Sequence, residues 1–282
     1  MSIVQDNITY IHNPEGVGSQ LIIDALHSCY SHALIDCIFP YYWVLQLGLP
    51  HDIQIVVRPD LFIEFPHNLD MLNDAKDAYK GVYGELINLL TDKPLAFKTD
   101  HIFEHTYIYP KDHACERSIW NSCTVYPDRY MLTNTPRYDD TVLRKKLDDF
   151  VDHVIKRLNI SVSKESNNKI LIIDRLHDRK IDRSIVAQLM YYGDCSIVYL
   201  EHMTFSAQVE LFSKHSIFVL AHGSAEINLL FAPPNSIVFE FDIIPTRAVI
   251  YKRLCDLRGL RHVVLPYNED LDVRAKIFDI LV

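Results

Sequence analysis

Glycine is scarce in this chain, 8 residues in 282, against a usual share of about 7%. Gly16 and Gly18 are spaced G-x-G, but Leu21 stands where the dinucleotide fingerprint G-x-G-x-x-G needs its third glycine. No G-x-x-x-x-G-K-[ST] occurs. An NAD-type Rossmann enzyme and a P-loop NTPase are therefore disfavoured. The six cysteines (Cys29, Cys37, Cys115, Cys123, Cys195 and Cys255) form no C-x-x-C pair, and no secretory pattern follows Met1. They read as free thiols in a reducing compartment, which makes the expected location cytoplasmic. Positive charge is also short. A formal net charge of −9 argues against a general affinity for nucleic acid or anionic membrane. Nor is there a long hydrophobic run. The most apolar stretch, His32 to Pro50, carries Asp36, Pro40 and Gln46, so it reads as a buried helical region and not as a membrane span.

What is present is core material. Apolar residues make up 49% of the chain and aromatic residues 11%, too much for disorder and enough for two domains. The first half is irregular. Helical spacing appears around Leu34–Leu45 and over Leu69–Leu90, and strands are expected at Ile53–Val57, Leu95–Lys98 and Thr106–Tyr109. Residues 110–136 read as a long loop. Residues 141–155 then form a clean amphipathic helix pattern, and the domain boundary is expected beside it, giving domains 1–150 and 151–282.

The second half alternates regularly. Strands are expected at Lys169–Ile173, Ser196–Leu200, Ser216–Leu220, Ser236–Phe241 and His262–Leu265. Helices fall between and after them at Asp182–Tyr191, Thr204–Lys214 (with Thr204 as N-cap), Ser224–Phe231, Pro245–Leu257 and Asp270–Leu281. Short strands separated by helices of about ten residues specify a parallel α/β sheet with helices on both faces.

Ligands of such a sheet bind beyond the carboxyl ends of its strands, and two ends carry unusual residues. After Ile173 come Asp174, Arg175, His177, Asp178, Arg179 and Lys180. After Leu220 come Ala221, His222, Gly223, Ser224, Ala225 and Glu226. A strand, a glycine turn and a helix start bring unpaired N–H groups together, which is a ready anion site. The same pattern also fits an ordinary tight turn. Arg175 and Arg179 suit phosphate oxygens, and they equally fit a solvated loop paired with its own aspartates.

His222-Gly-Ser-Ala-Glu-Ile-Asn-Leu-Leu-Phe-Ala-Pro-Pro-Asn-Ser-Ile-Val-Phe-Glu240 resembles the H-G-A-G-L-T-N…P…V-x-E segment of glycosyltransferase family 61. Asp174-Arg175 through Arg179 is similar to that family's arginine-bearing strand end, and Thr204–Phe212 to the helix between the two. His32-Ala-Leu-Ile-Asp36 looks like its H-x-x-x-D element, with both side chains on one helical face. The resemblance implies a GT-B-like α/β fold: two facing Rossmann-like domains, the N-terminal one reduced. It implies an inverting transfer, by single displacement, from a UDP-sugar to the hydroxyl of an oligosaccharide or glycoprotein glycan.

In that scheme Asp36 is the base, with His32 as alternative or acceptor contact. Arg175, Arg179, His222, Gly223, Ser224 and Ala225 hold the diphosphate, and Glu240 receives the ribose hydroxyls. Xylose is the expected sugar, N-acetylglucosamine the alternative, in a bacterial or viral setting. Gly223 is expected to tolerate no side chain. Glu226 and Ile227 depart from the family's Leu and Thr, and a carboxylate inside a phosphate-binding helix repels a diphosphate unless it points elsewhere. A non-catalytic nucleotide- or glycan-binding module is the rival reading. An α/β hydrolase lacks its G-x-S-x-G elbow.

No metal or other cofactor is expected. His101-Ile-Phe-Glu104-His105 spells a zinc motif that requires a helix, but its flanks favour strand or loop. His113, Cys115 and Cys123 are too loosely spaced for a zinc site. Asp270-x-Asp272 suits a helix start.

Overall fold

A computed structural model describes residues 9–15, 17–24, 34, 38–39, 42, 45–46, 53–58, 85–86, 88–90, 105–108, 140–161, 167–177, 180–192, 194–242, 249–266, 275, 277 and 279–280. The chain divides into two compact units, Met1–Glu116 and Arg117–Val282.

The first unit holds a four-stranded sheet of β1 (Thr9–His12), β2 (Ser19–Asp24), β3 (Gln54–Arg58) and β4 (His105–Ile108), in the order β1-β4-β2-β3. β2 pairs in parallel with both β3 and β4, while β1 runs antiparallel along β4. Two strands fall close to their expected places. The strands at 9–12 and 19–24 have no counterpart in the sequence reading. Most of the expected helix over Leu69–Leu90, the strand at Leu95–Lys98 and the loop at 110–136 lie outside the described residues.

The second unit begins with α1 (Asp140–Arg157), whose buried Leu143, Leu147, Phe150, Val151 and Val154 form one stripe at three- and four-residue steps. There follow β5 (Asn167–Asp174), α2 (Arg183–Tyr192), β6 (Cys195–Tyr199), α3 (Phe205–Ser213), β7 (His215–Ala221), a 3₁₀ helix (Ser224–Phe231), β8 (Ile237–Asp242), α4 (Val249–Arg258) and β9 (Arg261–Pro266). α1 lies against α4, and the boundary expected at 150 falls inside α1. Arg253 pairs with Asp140 and Arg258 with Asp148 across the two helices, so α1 belongs wholly to the second unit.

The five strands are all parallel, in the order β6-β5-β7-β8-β9. Strands of this kind, covered on both faces, read as continuous apolar runs, as Ile170–Ile173 and Ile217–Leu220 do. Residues alternate between the faces. Ile170, Ile172, Ile217, Val219, Phe239 and Phe241 share one core cluster with Ile185, Val186 and Leu189 of α2. On the opposite face the ring of Phe218 stacks on Phe212 of α3 at 5.2 Å between centroids, and Phe205 meets Phe231 edge-on at 5.8 Å. Each fully buried phenylalanine contributes about 1.5–3 kcal/mol by leaving water. Thr204 caps α3, its Oγ1 accepting from the Ala207 N–H at 3.2 Å.

Counted in chain order within the unit, the sheet reads 2-1-3-4-5. The chain reverses its direction of winding between β5 and β7, and a doubly wound sheet opens its ligand crevice at the carboxyl ends of the strands on either side of that reversal. Ile173 pairs with Leu220 there. The two unusual strand ends are therefore neighbours.

Candidate active site

At the β5 end the chain turns away through Arg175, Leu176 and His177. Asp174 is buried, and its Oδ1 accepts from the Ile181 N–H at 3.0 Å, tying the far end of the loop back to the strand. The Leu176 N–H donates to Glu201 Oε1 at 3.2 Å, joining this loop to the turn after β6. Arg175 is left half-buried and Lys180 exposed. Arg179 lies outside the described residues, as do His32 and Asp36 of the expected acceptor side and the pair Asp270 and Asp272. His105 lies in β4, a strand and not the helix that its zinc-like motif requires.

At the β7 end the chain does something the sequence reading did not anticipate. His222 is buried, and its Nδ1–H donates to Glu240 Oε1 at 2.7 Å while lying 3.3 Å from Glu226 Oε1. The other oxygen of Glu240 accepts from His262 Nε2 at 2.7 Å. Glu226 turns inward, and its Oε1 accepts from the Gly223 N–H at 2.8 Å, with the Glu226 N–H returned to the Gly223 carbonyl at 3.0 Å. The glutamate thus takes up one of the amides on which the sequence had placed a phosphate. Ser224 and Ala225, half-buried at the start of the 3₁₀ helix, remain on the outer side of the turn.

Glu226 and Glu240 are both 0% exposed. Both carboxylate oxygens of Glu240 are held by histidines; the sequence reading had them receive ribose hydroxyls. Gly223 has φ 163° and ψ −177°, extended backbone open to any residue. The expected intolerance of a side chain there finds no support in its conformation, and among the described residues the glycines in the left-handed region are Gly18 and Gly259.

Electrostatics follow from the burial. Desolvation opposes charge on His222, but its hydrogen bonds to Glu226 and Glu240, and their charges, outweigh it and raise its pKa from 6.5 to about 9. Burial and the charge of Glu240 hold the Glu226 carboxyl well above the usual range, against the pull of His222. Glu240 moves the other way. Burial raises it, yet the hydrogen bonds from His222 and His262 prevail and lower it. The ring of Tyr251 on α4 lies 5.6 Å from that of His222.

A second buried link fixes the helices around the turn. Gln208 of α3 donates to the carbonyls of Leu200 and Met203 at 3.3 and 3.2 Å, and accepts from Asn228 Nδ2 at 2.8 Å. His262 was missed as a member of the site. Its one sequence signal is a titratable residue inside an otherwise apolar strand, on the same face as Glu240 by the register Val238–His262 and Glu240–Val264.

Residues 30–239 match the family Glycosyltransferase 61. The chain is also 23% identical over 235 residues to protein O-linked-mannose beta-1,4-N-acetylglucosaminyltransferase 2 of Tetraodon nigroviridis. That alignment covers 77% of this chain and 40% of the relative, so the chain spans about two fifths of the length of the protein it resembles. No helix of the described residues is long and apolar enough to cross a membrane.

Proposed function

The chain belongs to glycosyltransferase family 61, and from that premise we propose that it moves a sugar from a UDP-sugar to a glycan hydroxyl by a single, inverting displacement in a GT-B-type enzyme. One observation carries the reading. The arginine-bearing end of β5 and the amide-lined turn after β7 flank the winding reversal of one parallel sheet, the place where such sheets take nucleotides. Arg175, with Arg179, holds the diphosphate, and the backbone at Ser224 and Ala225 receives its remaining oxygens. Glu240 keeps the His222 ring in register behind that turn.

The chemistry is a direct exchange. Asp36, with His32 as the alternative base or an acceptor contact, takes the proton of the acceptor hydroxyl, whose oxygen bonds to the anomeric carbon. The bond from that carbon to the diphosphate breaks, and UDP leaves with the electron pair, its charge met by the arginines and amides. No metal takes part in this step. Two donors stand out. UDP-xylose is the donor the family resemblance suggested, and UDP-N-acetylglucosamine is supported by the activity for which the relative is named.

A thermal-shift panel of UDP, UDP-xylose and UDP-N-acetylglucosamine, paired with an assay of slow donor hydrolysis, tests the reading. A ligand at 100 times its Kd adds about 2.7 kcal/mol of stability, so at least one of these nucleotides is expected to raise Tm and to be hydrolysed. If none does, the transferase reading is wrong. Asp36→Asn separates enzyme from binding module: the enzyme loses turnover and keeps UDP binding, whereas a module has no turnover to lose.

A further inference from the structure

Behind the turn, His222, Glu226 and Glu240 come from three separate elements, and each offers a donor atom within 4.8 Å of the other two. All three are buried. Their charges do not balance by themselves. Two carboxylates with no exposure face the His222 imidazole, with His262 on the far oxygen of Glu240, so closing the charge of this core takes either a further proton or a cation. A divalent cation with a neutral His222 brings the three ligands to zero.

An independent observation points the same way. Glu226 Oε2 has no hydrogen-bond partner among the described residues and is fully buried. An orphaned buried acceptor costs about 1–3 kcal/mol, and more when charged. The sibling oxygen already lies 3.3 Å from His222 Nδ1, and Glu240 Oε1 lies 2.7 Å from that nitrogen. Donor atoms about 2.0–2.2 Å from a common ion stand roughly 3 Å apart, a spacing that His222 Nδ1 already has to each carboxylate. An outer shell is in place as well. His262 Nε2 holds the far oxygen of Glu240, and the Gly223 N–H holds Glu226 Oε1, the kind of support that orients metal ligands.

We propose that His222, Glu226 and Glu240 bind one divalent ion of the zinc class, with Glu226 chelating through both oxygens. The donor set of one imidazole nitrogen and carboxylate oxygens, without thiolate, suits zinc and its neighbours. Such an ion is structural. Its ligands are buried and it does not meet the donor; it pins the turn after β7 to β8. It is therefore compatible with metal-free transfer chemistry, and it stands or falls separately from the transferase reading. Its rival is a pair of protons, one on His222 and one on Glu226.

The test uses the whole chain, stripped with dipicolinate and dialysed against zinc(II), with cobalt(II) as a spectroscopic probe. One zinc per chain, a rise in Tm on addition of zinc but not magnesium, and visible ligand-field bands with cobalt are expected. Glu226→Gln keeps an acceptor for the Gly223 N–H but cannot chelate, so it loses at least 100-fold in affinity while staying folded. His262→Gln, which removes only outer-shell support, loses about 10–100-fold. A stripped wild-type chain that takes up no zinc or cobalt at micromolar concentration overturns the proposal in favour of the two protons. Uptake that is unchanged in Glu226→Gln overturns it equally, as binding elsewhere on the surface.

Discussion

β5 and β7 lie side by side and both end in turns rich in charge, yet the two ends are built in opposite senses. At β7 every ionisable side chain turns inward: His222, Glu226 and Glu240 are buried against one another and against His262. At β5 a buried acid, Asp174, accepts from a backbone N–H, while Arg175 is half-buried and Lys180 exposed. The contrast separates holding from touching. In the proposed reading the β7 turn presents its backbone to a ligand, over the buried hydrogen bonds of His222, Glu226 and Glu240. The β5 loop is tied by two carboxylates, Asp174 on the Ile181 N–H and Glu201 on the Leu176 N–H. In the proposed reading, a diphosphate between them meets arginine from one side and amides from the other.

Removing the charged core behind β7 has the largest expected effect. Glu240→Ala leaves two buried histidines without their shared acceptor, and breaking a buried pair of this kind costs about 3–5 kcal/mol. Equilibrium denaturation in guanidinium measures it. A loss below about 1 kcal/mol would show that the β7 turn holds itself without its acid, and the contrast between the two ends would disappear.

Much of this contrast was legible in the residues, though unevenly. The second unit alternates apolar runs with helical patterns because both faces of a parallel sheet are covered, so its five strands and the helices between them fell near their expected places, while most of the closing helix expected at Asp270–Leu281 lies outside the described residues. β1 and β2 escaped because their pairing is long-range, with β4 lying between them in the sheet but about 80 residues or more away in the chain, and Thr9–His12 carries no clear apolar period. His222 and Glu240 were named from their strand ends. What they do was not legible, since it depends on side-chain direction. Glu226 looked like an obstacle to phosphate by its position in the helix, and only the fold shows it bent back onto the Gly223 amide. His262 is joined to Glu240 by register, which sequence spacing does not reveal.

The proton balance of the β7 core gives a smaller, graded effect, best read with a chelator present. His222 has a folded pKa raised to about 9 from 6.5. Its contribution to stability is complete below about pH 6.5 and is lost as the pH rises through about 9. Glu226, also raised, acts in the same direction, its native state holding a proton that the unfolded chain gives up above about pH 4.5. Glu240 is lowered, so its contribution is present above that value and lost in acid. Tm should fall between about pH 6.5 and 9, and His222→Gln should flatten that fall. An unchanged slope in the variant would mean that the histidine carries no proton in the folded chain.

The smallest change in stability is expected at the β5 end, and it decides whether holding and touching are truly divided. Arg175 is half-buried at a loop start, and substitutions at such positions away from the core change stability by less than about 0.5 kcal/mol. A charge-assisted contact to phosphate is worth about 1.5–3 kcal/mol, which converts to roughly 10–100-fold in Kd. Arg175→Ala should therefore melt like the parent chain and bind UDP at least 10-fold more weakly, measured by calorimetry on the same sample. If instead it unfolds as readily as Glu240→Ala and the remaining folded protein binds UDP unchanged, the arginine is part of the frame. The diphosphate would then have to be held by the β7 turn alone, with Glu226 already using one of its amides.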